Sequence, residues 1–239
     1  VCLSGDGGDE LFNGYKRYFS SIRVWEKIKF IPRELRKLFA YSLKMIPISV
    51  FNIIGSFFGS PMLGDKIVKS SHSIAANNFI EFYDKFLMSH YHDTSKLVLG
   101  GNSKDTSNNF DITEIKNLDY FEQMSLIDQI DYLPNDILCK VDRCSMSVSL
   151  ESRIPLLNSE IVTYANMMPT SFKINNQRPK SPLRDILSKY VPQNMFERPK
   201  KGFAVPLEHW LRNELKEWGD NLLDRQVLIG FYNLDYFRT

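Results

Sequence analysis

The sequence predicts a mainly α-helical fold with at most one or two short strands near the N-terminus. Three observations carry that expectation. A single short apolar run, Val1 to Leu3, has the composition of the end of a buried strand. Behind it, apolar residues recur at helical rather than alternating spacing through most of the chain. Pro and Gly then punctuate the pattern at Pro32, Pro47, Gly59-Ser60-Pro61, Pro134 and Pro155, at intervals that suit short helices. With 239 residues, 43% of them hydrophobic and 24% charged, the chain can bury a core and reads as one domain over 1–239. A net charge of +2 argues against a nucleic-acid partner held by bulk charge. No apolar run is long enough to span a bilayer, so no membrane partner is expected. Cys2, Cys139 and Cys144 form no C-x-x-C pair, which suits free, buried thiols in a reducing cytoplasm.

Taken in order, the strand runs into a small-residue turn, Ser4 to Gly8, and an acidic pair, Asp9 and Glu10, ahead of a helical pattern. A glycine turn entering a helix lets backbone N–H groups converge on an anion. Two carboxylates there repel bare phosphate but suit a Mg²⁺ ion bridging carboxylate and phosphate. A tight surface turn with an acidic helix start accounts for the same letters. From Tyr15 to Phe30, Tyr18, Ile22 and Trp25 mark a buried helix face. Pro32 starts the next helix, with Leu35, Leu38, Phe39 and Leu43 as its buried stripe, while Lys27, Lys29, Arg33, Arg36 and Lys37 read as a solvated basic face. Ile48 to Phe58 reads as a buried helix, and Met62–His72 and Asn77–Met88 as two more. His90 and His92 make a weak metal pair, and His72 and His209 have no partner. A polar stretch at about 93–113 reads as an exposed loop.

An apolar line from Leu118 to Leu133 marks a core helix ended by Pro134. A new helix from Pro134 places Asp136, Lys140, Arg143, Ser147 and Glu151 on one face, beside an apolar stripe of Ile137, Val141, Cys144 and Val148. Such charges form a surface ladder of little energetic weight unless they pack against something. Further on, Ile161–Met168 and Pro182–Tyr190 are amphipathic, the second with Leu183, Ile186 and Leu187 inward. A stiff basic loop, Arg198 to Pro206, precedes an aromatic-rich helix over Leu207–Trp218.

Three of these stretches share one resemblance. SGDGGDELFNGYKRY (Ser4–Tyr18), YLPNDILCKVDRCSMSVSLESRIPLL (Tyr132–Leu157) and RPKKGFAVP (Arg198–Pro206) resemble the signatures of the asparagine synthetase family. Departures are mild: they fall at Leu157 and Asn158, where many members have Phe-Leu-Asp, and at Lys201, where the family is variable and often apolar. The resemblance implies the helical C-terminal part of an α/β ATP-pyrophosphatase domain. It further implies activation of aspartate as β-aspartyl-AMP with release of pyrophosphate, then amidation by ammonia from glutamine, in the cytoplasm. ATP and Mg²⁺ are the implied cofactors. By position in the motifs, Ser4, Gly5 and Asp6 would contact the nucleotide or intermediate, and Asp9 would bind Mg²⁺. Lys200 would offset charge on the α-phosphate, and Glu151, the general base, would join Arg153 in receiving the amino acid. Lys140, Asp142 and Arg143 would orient the cleft wall.

The family's SGGxDS loop and its amidotransferase cysteine have no counterpart in these residues. The resemblance therefore also implies an N-terminal remainder of the same protein as partner, and a 239-residue piece inactive on its own. A homodimer is compatible with all of this. The alternatives are a member amidating or cyclising another carboxylate, as β-lactam synthetases do or on a sugar or peptide, and a non-catalytic helical module.

Overall fold

The computed structural model describes residues 1–57, 59, 63–87, 98–99, 115–197 and 205–223. They fall into two compact units, one formed by Val1–Ser89 with Phe110–Val191, the other by His90–Asn109 with Pro192–Thr239. The first unit carries β1 (Cys2–Leu3), α1 (Gly8–Leu11), α2 (Lys16–Ile28), α3 (Arg33–Met45), α4 (Ile48–Phe57), α5 (Leu63–Ile74) and α6 (Phe79–Leu87). It continues through α7 (Tyr120–Ile127), a wide π-wound segment (Asp128–Leu138), α8 (Cys139–Met146) and β2 (Ser152–Arg153). It closes with α9 (Ser159–Met167), α10 (Thr170–Lys173) and α11 (Ser181–Leu187). In the second unit, the described helices are α12 (Gln193–Phe196), α13 (Leu207–Arg212) and α14 (Lys216–Leu223).

The fold is mainly helical, and the two strands pair in parallel, Cys2 with Ser152 and Leu3 with Arg153. The second strand comes from mid-chain, within the second motif.

Aromatic packing builds the larger core. Tyr18 and Trp25 of α2 meet Phe79, Phe82 and Tyr83 of α6 and Met124 and Ile127 of α7. The rings meet edge-on or offset, as between Trp25 and Phe79 at 6.0 Å and Tyr18 and Tyr83 at 6.0 Å, arrangements that suit the ring quadrupole. A smaller core seats the opening turn: Leu11 and Phe12 pack with Ala165, Leu156, Leu157 and Leu183. Gly7 starts α1 with φ 80°, and a Cβ there would lie 2.5 Å from Leu157 Cδ2. Left-handed backbone and close packing both require glycine at that corner.

Several elements differ from the pattern reading. The helix begun at α7 does not stop at Pro134. It widens into π turns that carry Pro134 inside them, where a residue without an N–H loses little because the regular bonding has already been interrupted. The second-motif helix ends at Met146, and Ser149 takes φ 57°, so Ser147 and Glu151 leave the predicted face. Val148 is exposed, and the three thiols are free but, contrary to expectation, none is buried: Cys2 and Cys139 are half-buried and Cys144 is exposed. In α3, Leu35, Leu38 and Phe39 face outward while Arg36 and Ala40 are buried, the reverse of the expected stripe. In α4, Ile53, Ile54 and Phe57 are exposed, and in α11 so are Ile186 and Leu187. The expected Leu207–Trp218 helix breaks at Asn213 (φ −125°, ψ −93°) into α13 and α14, and His209 lies 3.4 Å from Glu214. His90, His92, the tail beyond 223 and nearly all of the 93–113 stretch lie outside the described residues.

Candidate functional site

The parallel strand pair brings the first two motifs together. Cys2 N–H donates to Glu151 O at 2.8 Å, and Ser4 N–H to Arg153 O at 2.9 Å. The chain then turns through Gly5–Gly7 into α1. Within the turn the Ser4 hydroxyl donates to Asp6 Oδ2.

Asp9 and Glu10 part company at this corner. Asp9 stays partly exposed, and its Oδ1 lies 2.8 Å from Lys180 Nζ. Lys180 N–H donates to Phe12 O at 3.1 Å, and its φ of 57° starts α11. Gly14 makes the contact possible. A Cβ there would sit 2.0 Å from Asp9 Oδ1 and 2.1 Å from Lys180 Cε. Glu10 points inward and is 1% exposed. It accepts the Tyr15 hydroxyl, and its carbonyl accepts Ser125 Oγ at 2.6 Å. Burial pushes the Glu10 carboxyl above the ordinary glutamate range, with the Tyr15 hydroxyl pulling it partway back.

Glu151 and Arg153 are exposed and bonded to each other, Arg153 Nε to Glu151 Oε1 at 2.8 Å. The hydrogen bond and charge of Arg153 hold the Glu151 carboxyl below its usual value. Lys140 pairs with Asp136 one turn away and is exposed, the ladder that charge spacing predicts. Lys200 and the rest of Arg198–Ala204 lie outside the described residues.

Lys180 is the residue the sequence reading missed. It lies outside all three motifs, and Pro-Lys-Ser-Pro reads only as a turn. The local signal is a cation at the very start of a helix, where an acidic residue is the usual choice, so a carboxylate partner elsewhere is needed.

Among the described residues no group of three or more His, Cys, Asp or Glu could cage a metal ion. That donor set fits Mg²⁺ only in the mode where one carboxylate, here Asp9, shares the ion with phosphate oxygens. An ion there would also share the carboxylate with Lys180.

A family profile described as "Asparagine synthase" matches residues 1–239. The chain is 30% identical over 238 residues to asparagine synthetase [glutamine-hydrolyzing] 1 of Bacillus subtilis (strain 168), covering 99% of this chain and 35% of that protein. It is 32% identical over 220 residues to a putative asparagine synthetase [glutamine-hydrolyzing] of Mycobacterium bovis, covering 91% of this chain and 32% of that one. Amidase chyE of Penicillium rubens is similar at 23% over 227 residues, with 88% and 33% covered. The chain thus spans about a third of the length of these relatives. No solved structure matches it.

Proposed function

The chain belongs to the asparagine synthase family, and from that premise we propose that the whole protein is an ATP-dependent ligase that turns aspartate into asparagine. An aspartate β-carboxylate oxygen attacks the α-phosphorus of ATP, the bond to the β-phosphate breaks, and pyrophosphate leaves. Ammonia from glutamine then attacks the acyl carbon of β-aspartyl-AMP, AMP departs with the bonding pair, and the nitrogen gives up a proton. Such chemistry asks the protein mainly for positioning and for charge placed against phosphate oxygens.

In this reading Ser4, Gly5 and Asp6 face the nucleotide, Lys200 offsets charge on the α-phosphate, and Lys180 steers Asp9. Bound at Asp9, Mg²⁺ would neutralise phosphate charge. Glu151 takes the ammonia proton and Arg153 takes the α-carboxylate of aspartate. Their mutual hydrogen bond gives this pairing a consequence. A carboxyl held low by Arg153 is a poor base, and an arriving α-carboxylate that draws Arg153 away raises its proton affinity when substrate is in place.

The observation that supports the reading is the parallel pairing of β1 with β2, which sets the glycine turn beside Glu151 and Arg153. The likeness to a protein named an amidase favours a second reading, the same adenylating core acting on another carboxylate. The experiment is pyrophosphate release by the full-length protein with ATP and a panel of acids. Aspartate is expected to be the preferred acid, and Asp9→Asn and Lys200→Ala are expected to lower turnover about 100-fold. Near-parental rates in both variants remove the two assignments, and preference for another acid selects the second reading.

A further inference from the structure

Beneath the opening turn lies a polar cluster that the proposed chemistry does not use. Asp128, 0% exposed, starts the π-wound segment. Its Oδ2 accepts Arg17 Nη2 at 2.6 Å and Tyr18 Oη at 2.7 Å, and Tyr83 Oη donates to both carboxylate oxygens at 3.0 Å. Arg17 Nε donates to Tyr83 Oη at 3.0 Å. The guanidinium also lies against two rings set nearly at right angles, 3.7 Å from the centroid of Tyr15 and 4.4 Å from that of Tyr132. Tyr15 in turn donates its hydroxyl to buried Glu10 in α1.

One side chain therefore touches both halves of the candidate site. Through Tyr15 and Glu10 it reaches the acidic turn; through Asp128 and Tyr132 it reaches the segment that leads into the second motif. We propose that Arg17 is a positioning residue that fixes the acidic turn relative to the second-motif helix, and so sets where Asp9 stands when nucleotide binds. A planar fork suits the task. It bonds a carboxylate and a phenol through separate nitrogens while lying against the Tyr15 and Tyr132 rings, a set of contacts that a lysine ammonium, a point charge on a flexible stem, cannot match. Ordinary charge compensation is the competing account: Asp128 needs a cation because it is buried, and any well-packed uncharged pair that still accepts the two phenols would serve equally well.

The two accounts separate in one double variant. Removing both charges of a buried ion pair often leaves stability intact, so Arg17→Met with Asp128→Asn removes the clamp without leaving a buried charge, and the amide oxygen stays to accept the buried Tyr18 and Tyr83 hydroxyls. In the full-length protein the double variant is expected to melt near the parent while pyrophosphate release per folded molecule falls about tenfold or more. Amides of Gly7–Leu11 are expected to exchange with solvent faster. Should the double variant misfold, Tyr15→Phe leaves the ion pair in place, cuts the link to Glu10, and is expected to give the same faster exchange and the same loss. Parental turnover together with parental exchange in these variants overturns the proposal. The activity readout rests on the ligase reading, whereas amide exchange does not. A parent protein without pyrophosphate release, but with variant exchange faster as expected, would fault that reading and leave the clamp standing.

Discussion

Asp9 and Glu10 are neighbours in sequence with opposite surroundings, and the difference sets what each can do. Asp9 sits partly exposed on Lys180, where a ligand's charge can compete for it. Glu10 is buried against Tyr15, and its carboxyl holds a proton more tightly folded than unfolded. The stability linked to Glu10 is thus full below its ordinary value near 4.5 and is lost as pH climbs through the raised folded value. Glu10→Gln removes that loss and keeps an oxygen for the Tyr15 hydroxyl. The variant is expected to melt at a higher temperature than the parent at pH 7, with the gap closing toward pH 4. A gap that stays constant with pH would mean that the carboxyl is not the cause. At this scale the sequence showed that two carboxylates share a turn, because letters and spacing are visible. It did not show that they point apart, because Tyr15 and Lys180 choose their sides through contacts that only the folded chain makes.

Helices were legible as elements and less so as faces. The spacing of Tyr18, Ile22 and Trp25 marks α2, and the structure buries Tyr18 and Trp25. The same rule applied to α3 selects Leu35, Leu38 and Phe39, which are exposed, while Arg36 is 5% exposed. Periodicity reports that a helix has two unlike faces, and the neighbours decide which face is covered. Arg36 is covered because its guanidinium reaches carbonyls stranded at the end of α5. Its Nη1 donates to Ile74 O at 2.7 Å and Ala76 O at 3.0 Å, and its Nε to Ile31 O at 3.0 Å. A cation at a helix C-terminus is favourable, and buried carbonyls left unpaired are costly. Arg36→Leu is therefore expected to lower unfolding free energy by about 3 kcal/mol, read from urea melts, and a loss under about 1 kcal/mol would show the bonds to be dispensable. The π-wound stretch was equally hidden. A Pro normally marks a helix end, and a lost N–H is tolerated only where bonding is already irregular.

For the whole molecule, the opening turn is well covered and α3 and α4 are not. The turn has its own small core, a strand partner and the Arg17 cluster. Leu35, Leu38, Phe39, Met45, Ile53 and Phe57 are more than half exposed. No single described helix is long and apolar enough to cross a membrane. The three motifs made the family recognisable in the letters, whereas a bare apolar face is a property of what surrounds the chain and leaves no pattern in it. Exposed apolar side chains in this number favour association in water. The 239-residue chain on its own is expected to bind an environment-sensitive hydrophobic dye and to sediment as species larger than 27.8 kDa at micromolar concentration. Phe39→Glu with Ile53→Lys, both at exposed positions, should reduce dye binding and shift the chain toward monomer while leaving its helical circular dichroism unchanged. Strong dye binding that persists in the charged variant would locate the sticky surface elsewhere, and a dye-silent monomeric parent would mean that these side chains find cover within the chain itself.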